Sequence, residues 1–189
     1  MSNIWQRFKQ VEAHIPASLN RLYRSSAPYY PSQKITGDAI KFLKDNKISV
    51  IISFNQNSYT AAEITLLKNA DITYHHLPVV DFQAATLEQL RDAYAVIDKL
   101  DSGTNVIVHC GYGHGRTGTG ITGIQLQYTK GADPPEADWG KVNRVETAAQ
   151  MAVLRELRDS YNVGPFRGLR LILIKSQTLS GELEQGIDP

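Results

Sequence analysis

The chain has 189 residues, 42% of them apolar and 21% charged, the proportions of one globular domain large enough to bury a core. With 20 Lys and Arg against 19 Asp and Glu the net charge is +1, which supplies no global field for nucleic acid or an anionic membrane surface. A single cysteine excludes an intrachain disulfide and points to a reducing compartment. Met1 to Lys9 lack the continuous apolar stretch of a secretory signal, and no run approaches the ~20 apolar residues of a membrane helix. The expectation is a cytoplasmic, monomeric, single-domain protein spanning 1–189.

In chain order, residues 1–20 read as a short arm or a first helix. Arg21 to Ser26 reads as a short strand closed by Pro28 and Pro31. Thr36 caps a helix of about ten residues carrying Ile40, Phe42 and Leu43. Ile48 to Phe54 is a β-branched run, expected as a buried strand. Thr60-x-x-Glu63 is a capping box, so a helix should run to about Asn69. Ile72 to Val80 reads as the next strand. A second capping box, Thr86-x-x-Gln89, opens a helix with Leu87, Leu90, Tyr94 and Ile97 on one face, ended by Gly103. Val106 to His109 is a short buried strand, followed by a glycine-rich turn and a helix from Arg116 to about Thr129. Asp133-Pro-Pro starts a short helical piece. Thr147-x-x-Gln150 opens a helix with Met151, Leu154 and Leu157. The segment Arg167 to Lys175 reads as a core helix or an edge strand. Strands alternating with helices imply an α/β fold, a largely parallel sheet of four to five strands flanked by helices.

The most informative stretch is His109-Cys-Gly-Tyr-Gly-His-Gly-Arg-Thr-Gly118. It lies between an expected strand and an expected helix. A loop folded back there aims backbone N–H groups into one concavity, and the helix N-terminus adds partial positive charge, which together suit an anion. Five residues separate Cys110 from Arg116: Gly111, Tyr112, Gly113, His114 and Gly115. These are the candidate anion-binding residues. Gly113, Gly115 and Gly118 permit the close approach that side chains would block. Arg116 offers a planar fork for two phosphate oxygens. A helix N-terminus and a neighbouring cation favour the thiolate of Cys110, and a thiolate under a bound phosphate is an in-line nucleophile on phosphorus.

The loop resembles the His-Cys-x5-Arg-Ser/Thr signature of the protein tyrosine and dual-specificity phosphatase superfamily. That resemblance implies a phosphatase fold and four roles. Cys110 would be the nucleophile and Arg116 the phosphate ligand that stabilises the transition state. Thr117 would hydrogen-bond the sulfur and assist phosphocysteine hydrolysis, and His109 would buttress the loop. Leu77 to Leu90 is similar to the family's acid-loop region, which implies Asp81 as the general acid that protonates the leaving oxygen. The family often has Pro where this chain has Ala85 or Thr86. Leu22 to Pro28 and Val145 to Gln150 also resemble segments of the small atypical members, so the resemblance spans about residues 20–160. It implies no metal and no cofactor.

Other readings compete. Gly113 to Gly118 satisfies G-x-G-x-x-G, a dinucleotide fingerprint, but Asp138 follows in a Pro-rich stretch without the second strand that reading needs. A non-catalytic phosphate-binding module would not need both Cys110 and Asp81. His114 is either solvated or a pocket cation at acidic pH. His75 and His76 are adjacent on a strand and point to opposite faces, which disfavours a metal site. Tyr112, Tyr29 and Tyr30 are candidate rim residues. Members of the resembled family that act on inositides often carry Lys in this loop, and this chain has none there, so the resemblance implies a phosphoprotein substrate, with an inositol phosphate or phosphoinositide as the alternative.

Overall fold

The computed structural model describes residues 4–16 and 21–162. Its centre is a five-stranded sheet: β1 (Lys9–Val11), β2 (Leu22–Ser26), β3 (Ile48–Ser53), β4 (Thr73–His76) and β5 (Asn105–Cys110). The spatial order is β1-β2-β5-β3-β4. β1 runs antiparallel to β2, and the other neighbours are parallel. Six helices complete the fold: α1 (Gly37–Asp45), α2 (Ala61–Asn69), α3 (Leu87–Asp98), α4 (Gly115–Tyr128), α5 (Glu136–Lys141) and α6 (Ala148–Asn162).

Strand alternation divides the core into two layers. Val50, Ile52, Val106 and Val108 face the side carrying Leu90 of α3, Ile121 and Ile124 of α4, and Leu154 of α6. Ile51 and Ile107 face the side carrying Leu43 of α1 and Leu67 of α2. Period-2 side chains on strands covered on both faces produce this arrangement. β5 is buried at all six positions. It ends at Cys110, so the turn leaving it opens at the carboxyl edge of the sheet, where crossover folds place ligands.

Helix starts follow the local chemistry. The hydroxyl of Thr36 accepts from the Ala39 amide at 3.2 Å. Thr60 with Glu63, and Thr86 with Gln89, form complete capping boxes. Thr147 and Gln150 exchange the same pair of bonds, at 3.2 and 3.3 Å.

Of the two readings of residues 1–20, the described part is the arm and no helix: it carries the edge strand β1 and buries Ile4 and Trp5. Two expectations are corrected. β4 stops at His76 rather than Val80. The Leu77 amide still reaches Ser53 O at 2.9 Å, but Pro78 has no N–H to continue the ladder. α3 ends at Asp98, with Lys99 as its cap, and Gly103 (φ +92°) serves the turn beyond. The segment Arg167 to Lys175 lies outside the described residues. Among the described residues no helix is long and apolar enough to cross a membrane, and no group of three His, Cys, Asp or Glu is placed to hold a metal.

Candidate active site

Residues 110 to 116 wrap the end of β5 into the first turn of α4. The Ala27 amide, just past β2, donates to both Cys110 O (2.7 Å) and Gly111 O (2.9 Å) and so clamps the start of the loop. Gly113 has φ +95°, and its N–H donates to Cys110 Sγ at 3.3 Å. A Cβ at Gly113 would stand 2.6 Å from Ser25 O, so only glycine fits this turn without displacement. Gly118 is needed for proximity instead, since a Cβ there would overlap Asn143 O.

Cys110 and Arg116 line one recess of about 270 Å³, together with Asp81, Phe82, Tyr30 and Tyr112. Arg116 is 7% exposed. One terminal nitrogen donates to Val79 O at 2.9 Å, and the other meets Asp81 Oδ1 at 2.6 Å. Val79 and Asp81 belong to the segment that leaves the sheet after β4, so the apolar run ending at Val80 builds the site rather than a strand. The candidate acid thus rests on the guanidinium fork.

His109 is fully buried at the end of β5. Its Nδ1 lies 3.2 Å from Cys110 O, which can only accept, so Nδ1 carries the proton. Nε2 then accepts from the Tyr59 hydroxyl at 3.2 Å. Burial, joined by His76 and Arg116 and opposed by the Cys110 carbonyl bond, pushes the imidazole down to about 4. His109 is therefore a neutral brace, held edge-on against Trp5 at 5.6 Å between ring centres.

Thr117 is buried in the first turn of α4, and its hydroxyl has no hydrogen-bond partner. The bond to the sulfur that the resemblance implies is not formed in this structure. His114 is partly exposed, with 31% of its side chain accessible, and lines the recess. It packs edge-on to Tyr112 at 4.8 Å and lies 3.6 Å from a carboxylate oxygen of Glu146. Burial, partly offset by Glu146, lowers its pKa, with Arg24, Arg7 and Arg144 acting in the same direction as burial. It is thus a weaker acidic-pH cation than an exposed histidine. Of the two tyrosines before Pro31, Tyr30 lines the recess, whereas Tyr29 packs in the second core layer. His76 donates to Asn55 O at 2.9 Å.

Several site residues were not legible as such. Glu146 accepts from the Gly115 amide at 3.0 Å. Gln150 accepts from the Glu146 amide at 3.0 Å and donates to Gln83 O at 3.1 Å, tying the acid segment to the start of α6. Arg24 on β2 lies beneath the loop and donates to Gly113 O. Arg24 left a signal as a charged residue inside an expected strand, and Glu146 and Gln150 left one by falling in the Val145 to Gln150 segment that resembles the small atypical members. A wider recess of about 550 Å³ lies between the starts of α1 and α2. Glu63 fills the anion-binding role there, accepting from the Ile35 and Thr60 amides, and no cysteine lines it.

A sheet of this order, with a cysteine and an arginine sharing a loop at its carboxyl edge, defines a phosphatase of the protein tyrosine and dual-specificity class. The sequence model of the polymorphic toxin system DSP-PTPase phosphatases (Tc-R-P) matches residues 27–130, more than half of the chain, and the chain belongs to that family. No curated protein matches it significantly. Solved structures share the fold. Tk-PTP in a mutant form has a TM-score of 0.61 at 22% identity, covering 85% of this chain and 100% of that one. PTPMT1 in complex with PI(5)P gives 0.60 at 20% identity, covering 75% and 92%. The catalytic core of the PP-IP phosphatase SIW14 from S. cerevisiae gives 0.55 at 15% identity, covering 87% and 93%.

Proposed function

We propose that the protein hydrolyses phosphomonoesters through a phosphocysteine on Cys110. The observation that carries this reading is the shared recess. The sulfur, the Arg116 fork and the Asp81 carboxyl all line it, and the Gly113 amide is bonded to the sulfur. The thiolate attacks phosphorus in line, the S–P bond forms, and the ester P–O bond breaks. Asp81 gives its proton to the leaving oxygen. Water then attacks the phosphocysteine, Asp81 takes the proton, and inorganic phosphate departs with the sulfur restored. Arg116 holds two equatorial oxygens through both steps. Thr117, whose buried hydroxyl is unsatisfied, is the group available to the sulfur once the thiolate becomes a leaving group.

The substrate we favour is a phosphoprotein, phosphotyrosine foremost. Tyr30, Tyr112 and Phe82 give the recess an aromatic wall, and Glu146 places a carboxylate inside it. Arg116 is the lone Lys or Arg among its lining residues. Such a wall suits one phosphate on a planar ring and repels a substrate bearing several phosphates. A phosphoinositide or inositol phosphate is the second reading, because PTPMT1 was solved with PI(5)P. The reaction calls for no metal, and we place it in a cytoplasmic monomer acting as one domain.

Hydrolysis of 4-nitrophenyl phosphate between about pH 5 and 8 tests the chemistry. Wild type should turn over and Cys110→Ser should not. A wild type without turnover removes the enzyme reading. A side-by-side assay of phosphotyrosine peptides and phosphoinositides decides the substrate.

A further inference from the structure

Two arginines outside the signature loop converge on Gly113. Arg24 is 8% exposed. It donates to Gly113 O at 3.0 Å and to Asn143 O at 2.8 Å. Arg7 donates from Nε to Tyr112 O at 2.6 Å, and its guanidinium lies 3.6 Å from the centre of the Tyr112 ring. The Tyr112 carbonyl and the Gly113 N–H belong to one peptide unit, and that N–H is the donor to Cys110 Sγ. The unit is therefore polarised from its oxygen end towards the sulfur. The next carbonyl, that of Gly113 itself, is gripped by Arg24.

A guanidinium this deeply buried requires a counter-charge. Both hydrogen-bond partners of Arg24 are neutral carbonyls, and no carboxylate pairs with it among the described residues. Other charges around the sulfur are already engaged. Arg116 of α4 pairs with Asp81 from the segment after β4. Glu146, before α6, faces His114 and the Gly115 amide. His109 of β5 is buried and neutral. Burial pulls the guanidinium of Arg24 down to about 10, opposed by Cys110 and reinforced by Arg144.

We propose that the Cys110 thiolate is the counter-ion of Arg24, a positioning residue whose positive charge, held beneath residue 113 by two carbonyls, favours the deprotonated nucleophile. This rests on the reading of Cys110 as the nucleophile. Arg7 does the same work from a more exposed position and has the smaller effect.

The lone cysteine makes the test specific, since alkylation of the folded chain reports on Cys110 alone. The rate of reaction with iodoacetamide is followed against pH for wild type, Arg24→Met, Arg24→Gln and Arg24→Lys, with circular dichroism as the check on folding. Near pH 6 the two neutral variants should react about tenfold more slowly, with the profile displaced by about one pH unit. Arg24→Lys gives up the two-carbonyl fork but keeps the charge, and with charge as the cause it should stay within about threefold of wild type. Neutral variants whose profiles superimpose on wild type overturn the proposal. So does a lysine variant as slow as the glutamine one, which would make geometry rather than charge the cause. If both neutral variants fail to fold, Arg24→Lys decides alone: a tenfold loss overturns the proposal and a near-native profile supports it. Turnover of 4-nitrophenyl phosphate by wild type is measured alongside. Superimposed alkylation profiles with intact turnover remove only the role of Arg24, whereas absent turnover removes the phosphatase reading itself.

Discussion

If Arg116 holds the substrate phosphate as proposed, the Asp81 carboxylate competes with that phosphate for the guanidinium. The contact between Asp81 and Arg116 is 2.6 Å, with the Arg116 side chain 8% exposed and that of Asp81 62% exposed. The pair is half in water, so its net strength is modest, and a dianionic phosphate can displace the carboxylate. Freed, the carboxyl is available to the leaving oxygen. Asp81→Asn should therefore bind inorganic phosphate more tightly while losing catalysis. The loss should depend on the leaving group, reaching about 10²–10³ for an alkyl phosphate and much less for 4-nitrophenyl phosphate, whose oxygen departs without a proton. Equal losses for both esters would take the proton-donor role from Asp81. His109 gives a prediction of a different kind. Its pKa is lowered by burial to about 4 in the folded chain, against about 6.5 in an unfolded one. Between those values the unfolded chain binds a proton that the folded chain refuses. Stability is therefore complete above about pH 6.5 and is lost as pH falls towards 4, by up to about 3 kcal/mol from this residue. Urea unfolding across that window should show the loss, and His109→Gln should flatten it.

At the scale of elements, α4 is buried at every position from Gly115 to Gln127. A Cβ at Gly120 would run into the Phe54 ring, and one at Gly118 into the Asn143 carbonyl. Alanine is worth about 1 kcal/mol more than glycine inside a helix. The carbonyl of Asn143 cannot swing aside like a side chain, because Arg24 holds it at 2.8 Å. Overpacking costs about 1–3 kcal/mol, so Gly118→Ala should be net destabilising, read as a lower urea midpoint, and should lower turnover by shifting the loop. A variant more stable than wild type would show that the 143–144 turn yields.

The same elements explain what the sequence could convey. Capping boxes at Thr60, Thr86 and Thr147 are local patterns, and each opens a helix. The loop from Cys110 to Arg116 is equally local, so its residues could be named in advance. Val79 could not be, because its apolarity looked like strand. Its carbonyl in fact accepts from Arg116, 37 positions away. Arg24 with Asn143, Gly115 with Glu146, and Gln83 with Gln150 lie 119, 31 and 67 residues apart. No periodicity records such meetings.

Across the whole molecule, the loop is supported from both core layers at once. Cys110 belongs to the layer under α3, α4 and α6. His109, the next residue back, points to the other side, where Tyr59 and Trp5 enclose it. That enclosure depends on the N-terminal arm. Ile4 O accepts from the Tyr29 amide at 2.7 Å, and Gln6 O from the Ser26 amide at 2.8 Å. Trp5 is 3% exposed and donates from its indole to Ala39 O at 3.2 Å. One segment thus joins α1, β2 and the back of the phosphate loop, and Arg7 carries the connection to Tyr112. If the arm is core, Trp5→Ala should cost about 3–5 kcal/mol, the range for emptying a large aromatic site. It should also wet His109 and raise its pKa, so the acid-side loss of stability should become shallower than in wild type. Denaturant curves at several pH values measure both effects in one experiment. A cost under about 1 kcal/mol with an unchanged acid limb would mean that the arm merely lies on the surface, and that β5 and its neighbours hold the loop without it.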